Sequence, residues 1–335
     1  MSDTTKKLRH GGDIDAATER FGHPSGGWLD LSTGINPVPY PVSEIEQHIW
    51  QRLPTASDEA ALIDAARGYY RVPEHAGILA APGTQAIIQW LPTVPETCRV
   101  QVIGPTYEEH AASWRAHNHT VEIIDDIDIA DADVVIVVNP NNPNGRVIEP
   151  DALLHTARRL SGRGTLIVDE AFADVRPDIS VTSETGTGTE GLLILRSFGK
   201  FFGLAGLRLG FAIGSETAIG KLKRLLGPWA VTGPALQIGT RALRDLAWHE
   251  QTRTRLANDA LRLDAILTKA GMDFVGGTLL YRLFRSDDAP SIYEALGSAG
   301  IMVRKFDCDP TWLRFGLPGR ETDWARLETA LRTRR

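Results

Sequence analysis

The densest chemical signal in the chain is Ser197-Phe-Gly-Lys200 followed by Gly203-Leu-Ala-Gly-Leu-Arg208-Leu-Gly210. A lysine amine held at the mouth of a strand is placed to form a Schiff base with an aldehyde. Ser197 and Arg208 flank it at a spacing suited to grasping a phosphate. Arginine suits that task because its planar fork donates two parallel charge-assisted hydrogen bonds. A serine and a lysine three apart are uninformative alone, whereas the unbroken string SFGKFFGLAGLRLG is specific.

Other polar residues stand where apolar runs end. Asp169 closes Leu166-Ile-Val-Asp169, Asn142 lies in Asn139-Pro-Asn-Asn142-Pro-Asn-Gly145 after Val134–Val138, and Pro82-Gly83-Thr84-Gln85 opens a helix after a strand. Backbone N–H groups at a helix start favour a phosphate. A strand-end Asp also serves as a helix cap, and a Pro/Gly turn needs no ligand; the downstream lysine is what gives these residues weight. One look-alike fails. Gly214-Ser-Glu-Thr-Ala-Ile-Gly220-Lys221-Leu222 is one residue too long for a P-loop and has Leu where Ser or Thr must meet magnesium. The nine histidines form no metal-ligand pattern, so no metal is expected, and His117 and His119 read as surface residues near a helix end.

The elements that must position these residues follow from periodicity. Ile78–Ala80, Arg99–Ile103, Val134–Val138, Thr165–Val168, Leu192–Leu195 and Leu209–Ile213 read as buried strands. Gln85–Leu91, Glu108–Ala116 and Pro150–Leu160 read as helices between them. That alternation predicts an α/β fold with a large, mostly parallel sheet covered on both faces. Such sheets bind ligands outside the carboxyl ends of their strands. Gly186–Gly191 reads as a flexible loop, and Thr232–Ala270 as one long helical stretch connecting domains. Beyond it, strands at Met272–Phe274, Leu279–Phe284, Ile301–Lys305 and Trp312–Phe315, with helices at Ser291–Ala299 and Thr322–Arg332, predict a smaller α+β domain. The expected division is 46–250 for the large domain and 1–45 plus 251–335 for the small one. The first 45 residues, rich in Gly and Pro, are expected to lie as a loop across the site.

Composition narrows the class. At 335 residues and 42% hydrophobic content the chain can build one large core or a large and a small domain. A net charge of −6 argues against nucleic acid as a partner. Cys98 and Cys308 offer no disulfide framework, and the longest apolar run, Val134–Val138, is too short for a membrane. Met1–Gly12 lacks an apolar signal core, so a cytoplasmic enzyme is expected.

On these motifs the chain resembles the fold-type-I pyridoxal-5′-phosphate (PLP) enzymes, with the class I/II aminotransferase fold. The resemblance implies PLP on Lys200, Asp169 against the protonated pyridine nitrogen, and Asn142 at the ring hydroxyl. It implies a phosphate cup of Gly83, Thr84, Gln85, Ser197 and Arg208, with Tyr107 stacked on the ring; an aromatic at 107 would fit a core equally well. Arg314, in Trp312-Leu-Arg314-Phe-Gly, matches the arginine that clamps a substrate carboxylate.

Within that family the chain is similar, end to end, to histidinol-phosphate aminotransferases and to the threonine-phosphate decarboxylases of cobalamin biosynthesis. His10-Gly-Gly12, Leu31-Ser-Thr-Gly-Ile-Asn36-Pro37, Phe172 in place of the usual Tyr, and Pro228-Trp-Ala-Val231 favour the decarboxylases. The resemblance then implies L-threonine O-3-phosphate as substrate, with His10, Asn36, Asn142, Arg304 and Arg314 around it. His10 reads equally well as a tail residue. The fold implies a homodimer, although Arg52-Leu53-Pro54 lacks the Tyr that relatives direct at the cofactor phosphate, and Leu279 stands where many carry Asn. An aminotransferase is the rival enzyme. A non-catalytic PLP-binding protein is disfavoured because both Lys200 and Asp169 are present.

Overall fold

The computed structural model describes residues 10–127, 132–186 and 188–333. Its strands are β1 (Leu29–Asp30), β2 (Ala76–Ala81), β3 (Arg99–Ile103), β4 (Thr120–Ile124), β5 (Val134–Val138), β6 (Thr165–Asp169), β7 (Leu192–Ser197), β8 (Gly210–Ser215), β9 (Asp273–Thr278), β10 (Tyr281–Arg285), β11 (Ile301–Met302), β12 (Arg304–Lys305) and β13 (Trp312–Gly316). By contacts the chain divides into two compact units. The larger comprises Pro39–Asn142 and Arg146–Arg253; the smaller takes the chain up to Val38, Pro143–Gly145 and everything from Thr254.

The larger unit holds a seven-stranded sheet in the order β2-β8-β7-β6-β5-β3-β4. The four pairs from β7 to β4 are parallel, while β8 runs antiparallel to both β7 and β2. β5 is buried along its whole length, as a strand covered on both faces must be. One face packs Leu79, Ile136, Ile167 and Leu195 against Ile87, Ile88 and Trp114 from the helices Thr84–Trp90 and Glu108–Ala116. At about 1.5–3 kcal/mol for each fully buried large apolar side chain, this layer fixes where the strands end. β6 ends at Asp169 and β7 at Ser197.

The smaller unit has a four-stranded antiparallel sheet, β12-β13-β10-β9, and the parallel pair β1-β11. Its N-terminal part is not the open loop expected. Ile14–Phe21 is a helix capped by the Asp13 side chain at the Ala16 N–H, and β1 pairs with β11. The expected strand Ile301–Lys305 is split at Val303, because its first half pairs with β1 and its second with β13. Leu279 lies in the β9–β10 turn rather than a strand, with Thr278 Oγ1 accepting the Leu280 N–H.

The expected single helix over Thr232–Ala270 is two helices, Gly233–Arg244 and Leu246–Lys269. Asp245 breaks them with φ −87° and ψ 76°, and its carboxylate accepts the Trp248 N–H. His119 is likewise not a surface residue: it is buried, accepts the Cys98 N–H at Nδ1 (3.2 Å) and donates from Nε2 to the Pro92 carbonyl (2.7 Å). His117 is exposed as expected. The Cys98 thiol beside His119 is pushed up to about 11 by burial, with Asp133 adding to it, so it stays protonated and inert.

Candidate active site

In the larger unit Asn142, Asp169 and Ser197 with Lys200 stand at or just beyond the carboxyl ends of β5, β6 and β7. Asp169 is 4% exposed. Its Oδ1 accepts the Ala171 N–H (3.0 Å) and its Oδ2 lies 2.9 Å from His110 Nε2. A carboxylate can only accept, so His110 Nε2 carries the proton. His110 is 1% exposed and was not among the residues singled out from sequence. The signal was available: it follows Tyr107 by three on a helix whose inward residues include Ala111 and Trp114, where residues three and four apart share a face.

Tyr107 lies edge-on to the His110 ring, with centroids 6.1 Å apart, and its hydroxyl donates to Gln85 Oε1 (3.1 Å). Gln85 in turn donates to Glu109 (2.9 Å). Gln85 is thus tied to the Tyr107 helix, and its side chain serves to hold Tyr107. Burial, then Glu109 and Asp169, raise the Tyr107 phenol to about 12, with Arg208 opposing. Tyr107 therefore feels both Asp169 and Arg208. Asn139 closes its own loop through both side-chain atoms to Ile148, and Asn141 donates to the Pro105 carbonyl (2.9 Å). These two asparagines hold the turn that carries Asn142.

Lys200 sits half-buried on the short helix Phe198–Phe201, directly after Ser197, with Nζ 5.5 Å from the centre of the Phe172 ring. Arg208 is held in the left-handed region at φ 54°. Its guanidinium lies against Gly83: a Cβ there would come within 2.8 Å of Nη2. Gly210 is equally closed, since a Cβ would stand 2.6 Å from the Thr84 N–H. Gly83, Thr84 and Arg208 thus form a cradle that side chains would fill. The fit for a phosphate rests on that cationic cradle.

The smaller unit holds four of the expected substrate residues, His10, Asn36, Arg304 and Arg314, while Asn142 belongs to the larger one. Arg314 on β13 is buried and donates from Nη2 to the Ser32 carbonyl (2.6 Å). Arg304 on β12 is its register partner, so both side chains leave the same face of the sheet. Burial pushes the Arg314 guanidinium down to about 10; Tyr281 opposes the shift, and Arg304 adds to it. The two cations stand side by side on one sheet face, and Asp30 partly offsets their repulsion at Arg314. His10, Ser32 and Arg304 line a cavity of about 510 Å³ within this unit. Asn36 is buried, and its Oδ1 accepts from Arg255 Nη2 (2.6 Å) and from the Val38 N–H (3.1 Å). That oxygen braces the segment internally. No group of His, Cys, Asp and Glu among the described residues could hold a metal, and no helix among them is long and apolar enough to cross a membrane.

Residues 47–331 match the family model for aminotransferase class I and II, and the chain belongs to that family. The threonine-phosphate decarboxylase of Pseudomonas aeruginosa is 42% identical over 97% of this chain and 97% of its own length. That of a Sinorhizobium species is 43% identical over 96% and 97%. Among solved structures, the histidinol-phosphate aminotransferase of Sinorhizobium meliloti, in complex with pyridoxal-5′-phosphate, has a TM-score of 0.83 at 16% identity, covering 100% of this chain and 97% of that one. That likeness bears on the fold.

Proposed function

We propose that this chain is a PLP-dependent carboxy-lyase that decarboxylates L-threonine O-3-phosphate to (R)-1-amino-2-propanol O-2-phosphate, a step of cobalamin biosynthesis. Two threonine-phosphate decarboxylases align with it over nearly their whole length at 42–43% identity. The structural observation that carries the reading is Arg304 opposite Arg314. A substrate bearing both a carboxylate and a phosphate matches two cations on one face, and arginine forks suit both groups. Arg314 grips the carboxylate; Arg304 and His10 grip the phosphate.

PLP, when bound, supplies an electron sink for the bond broken at Cα. Lys200 would hold the cofactor through its amine; once displaced by the substrate amine, it would carry the proton that the substrate ammonium gives up and supply it to Cα after CO₂ has left. Asp169, backed by His110, would keep the pyridine nitrogen protonated. Tyr107 would pack on the ring, Asn142 would hydrogen-bond its hydroxyl, and Gly83, Thr84, Ser197 and Arg208 would hold the phosphate. Phe172 has no hydroxyl to offer the ring oxygen, which would leave that contact to Asn142.

The chain acts as a homodimer in the cytoplasm. Trp229 is 60% exposed, an apolar side chain available to a second copy. Pro54, Leu226, Trp229 and Val231 line an adjoining cavity of about 260 Å³. Sedimentation velocity decides the oligomeric state.

The deciding experiment gives the PLP-loaded protein L-threonine O-3-phosphate with no 2-oxo acid. Sustained CO₂ release with stoichiometric aminopropanol phosphate is expected. Turnover of histidinol phosphate only when 2-oxoglutarate is added would make it an aminotransferase instead.

A further inference from the structure

The reverse side of the strands that carry Asp169 and Ser197 holds a buried charge cluster that none of the roles above uses. β6 and β7 run in register, with Asp169 opposite Leu195, and the ladder continues through the Glu170 N–H to the Leu195 carbonyl (2.9 Å). Alternation along a strand therefore sends Asp169 and Ser197 to one face, and Glu170 and Arg196 to the other. There Arg196 Nη1 donates to Glu170 Oε2 and Nη2 donates to Asp174 Oδ1 (2.6 Å). Its Cζ lies 4.4 Å from the centre of the Tyr70 ring. All three charged side chains are almost completely buried, at 4% exposure or less. Burial opposes the Arg196 charge, but Asp174 and Glu170 outweigh it and hold the guanidinium above its ordinary range. Arg253 extends the cluster from its Nε to the Asp174 carbonyl (2.8 Å), and Glu170 also receives Ser180 Oγ (2.6 Å) and the Val181 N–H (2.8 Å).

A buried ion network is weak as a source of stability, since well-packed apolar groups do as well. What a two-armed fork supplies is defined geometry. Here it joins the turn leaving Asp169 to the last residue before Ser197, four residues before Lys200. We infer that Arg196 is a positioning residue: its bridge to Glu170 and Asp174 sets the spacing between Asp169, at one end of the cofactor ring, and Ser197 with Lys200 at the other. The inference rests on the PLP reading above.

The test compares the parent full-length protein with Arg196→Lys, Arg196→Met and Glu170→Gln, each titrated with PLP. Lysine keeps the charge and one arm of the fork, so it should rescue part of what Met loses. The expected result is a rise of about tenfold in the PLP dissociation constant for Arg196→Lys, the size seen when outer partners of a ligand set are removed. The pH midpoint of the bound cofactor's visible absorbance should move upward in the same variants, because a less firmly held ring nitrogen lends less positive charge to the ring. If Arg196→Met does not fold, the Lys and Gln variants carry the comparison. Variants that melt lower without PLP yet keep the parent's PLP affinity and absorbance midpoint would overturn the inference and leave Arg196 a purely structural role. A parent that acquires no PLP absorbance would overturn the cofactor reading itself.

Discussion

The candidate residues of the two units are set in place differently. In the larger unit the polar side chains stand near strand ends and helix starts, and several are braced by their neighbours: Asp169 by His110, Tyr107 by Gln85, the Asn142 turn by Asn139 and Asn141. In the smaller unit the groups proposed for the substrate are two long cationic side chains on one sheet face and an exposed histidine, His10. The first arrangement suits a resident group that must not move. The second is a like-charge pair that an incoming dianion stabilises, which suits a substrate that comes and goes. Substitutions in the larger unit should therefore act on cofactor retention and kcat, and those in the smaller unit on KM.

The largest effect belongs to Lys200. Lys200→Ala should lower CO₂ release by more than about 10³-fold, and borohydride should no longer fix PLP to the chain. Retained turnover would remove the covalent anchor from the mechanism. Asp169→Ala should cost about 10²–10³ in kcat, the usual range for one group aligned with charge that develops during reaction, with little change in KM. A large KM effect with kcat preserved would move Asp169 to the substrate side and break the division.

Next comes Arg304→Ala. Losing charge-assisted hydrogen bonds worth about 1.5–3 kcal/mol should raise KM for threonine phosphate by roughly 10- to 100-fold, since about 1.4 kcal/mol is a factor of ten. PLP affinity should not change. If Arg304→Ala weakened PLP binding instead, the assignment of Arg304 to the substrate phosphate would be wrong.

The same contrast governs what could be read from the sequence. Asp169 closes the apolar run Leu166–Val168 and Ser197 ends the strand that carries the chain to Lys200, so strand ends and chemistry announced each other. β5, β6 and β7 were legible because interior parallel strands must be apolar throughout. β4 was not, because it is an edge strand whose residues are half-buried or exposed, with none fully buried. The helix break at Asp245 carries neither Gly nor Pro; it depends on a backbone conformation and a side-chain cap. The pairing of β1 with β11 joins Leu29 to Ile301, a tertiary choice without a local signature. His119 follows Asn118, whose φ of 64° belongs to the turn that leads the chain into β4, and so a residue at a helix end became a buried one. Charged residues set in apolar stretches, such as Arg196 after Leu192–Leu195, were a usable signal for a buried ion cluster.

The smallest effect concerns the support beneath Lys200. His249 packs against Tyr69, Phe201 and Phe202 at ring distances of 4.6, 6.1 and 5.6 Å, and its Nε2 donates to the Ala242 carbonyl (2.7 Å). Burial lowers its pKa; the Ala242 hydrogen bond opposes the shift, Arg253 adds to it, and Asp174 and Asp245 oppose it. The folded protein therefore holds His249 neutral at pH values where the unfolded chain has begun to protonate it. As pH falls through about 6.5, the ordinary histidine value, the unfolded state takes up more protons and stability drops. The loss continues until the folded-state pKa is reached. Melting the protein without PLP between about pH 7.5 and about pH 5.5 should show this fall, and His249→Gln, whose amide can still donate to Ala242, should flatten it. Because Phe201 and Phe202 flank the Lys200 turn, PLP retention should follow the same pH dependence. KM changes caused by Arg304→Ala should not. A His249→Gln protein with the parent's pH slope would place the acid sensitivity elsewhere and leave the Lys200 turn without a titrating support.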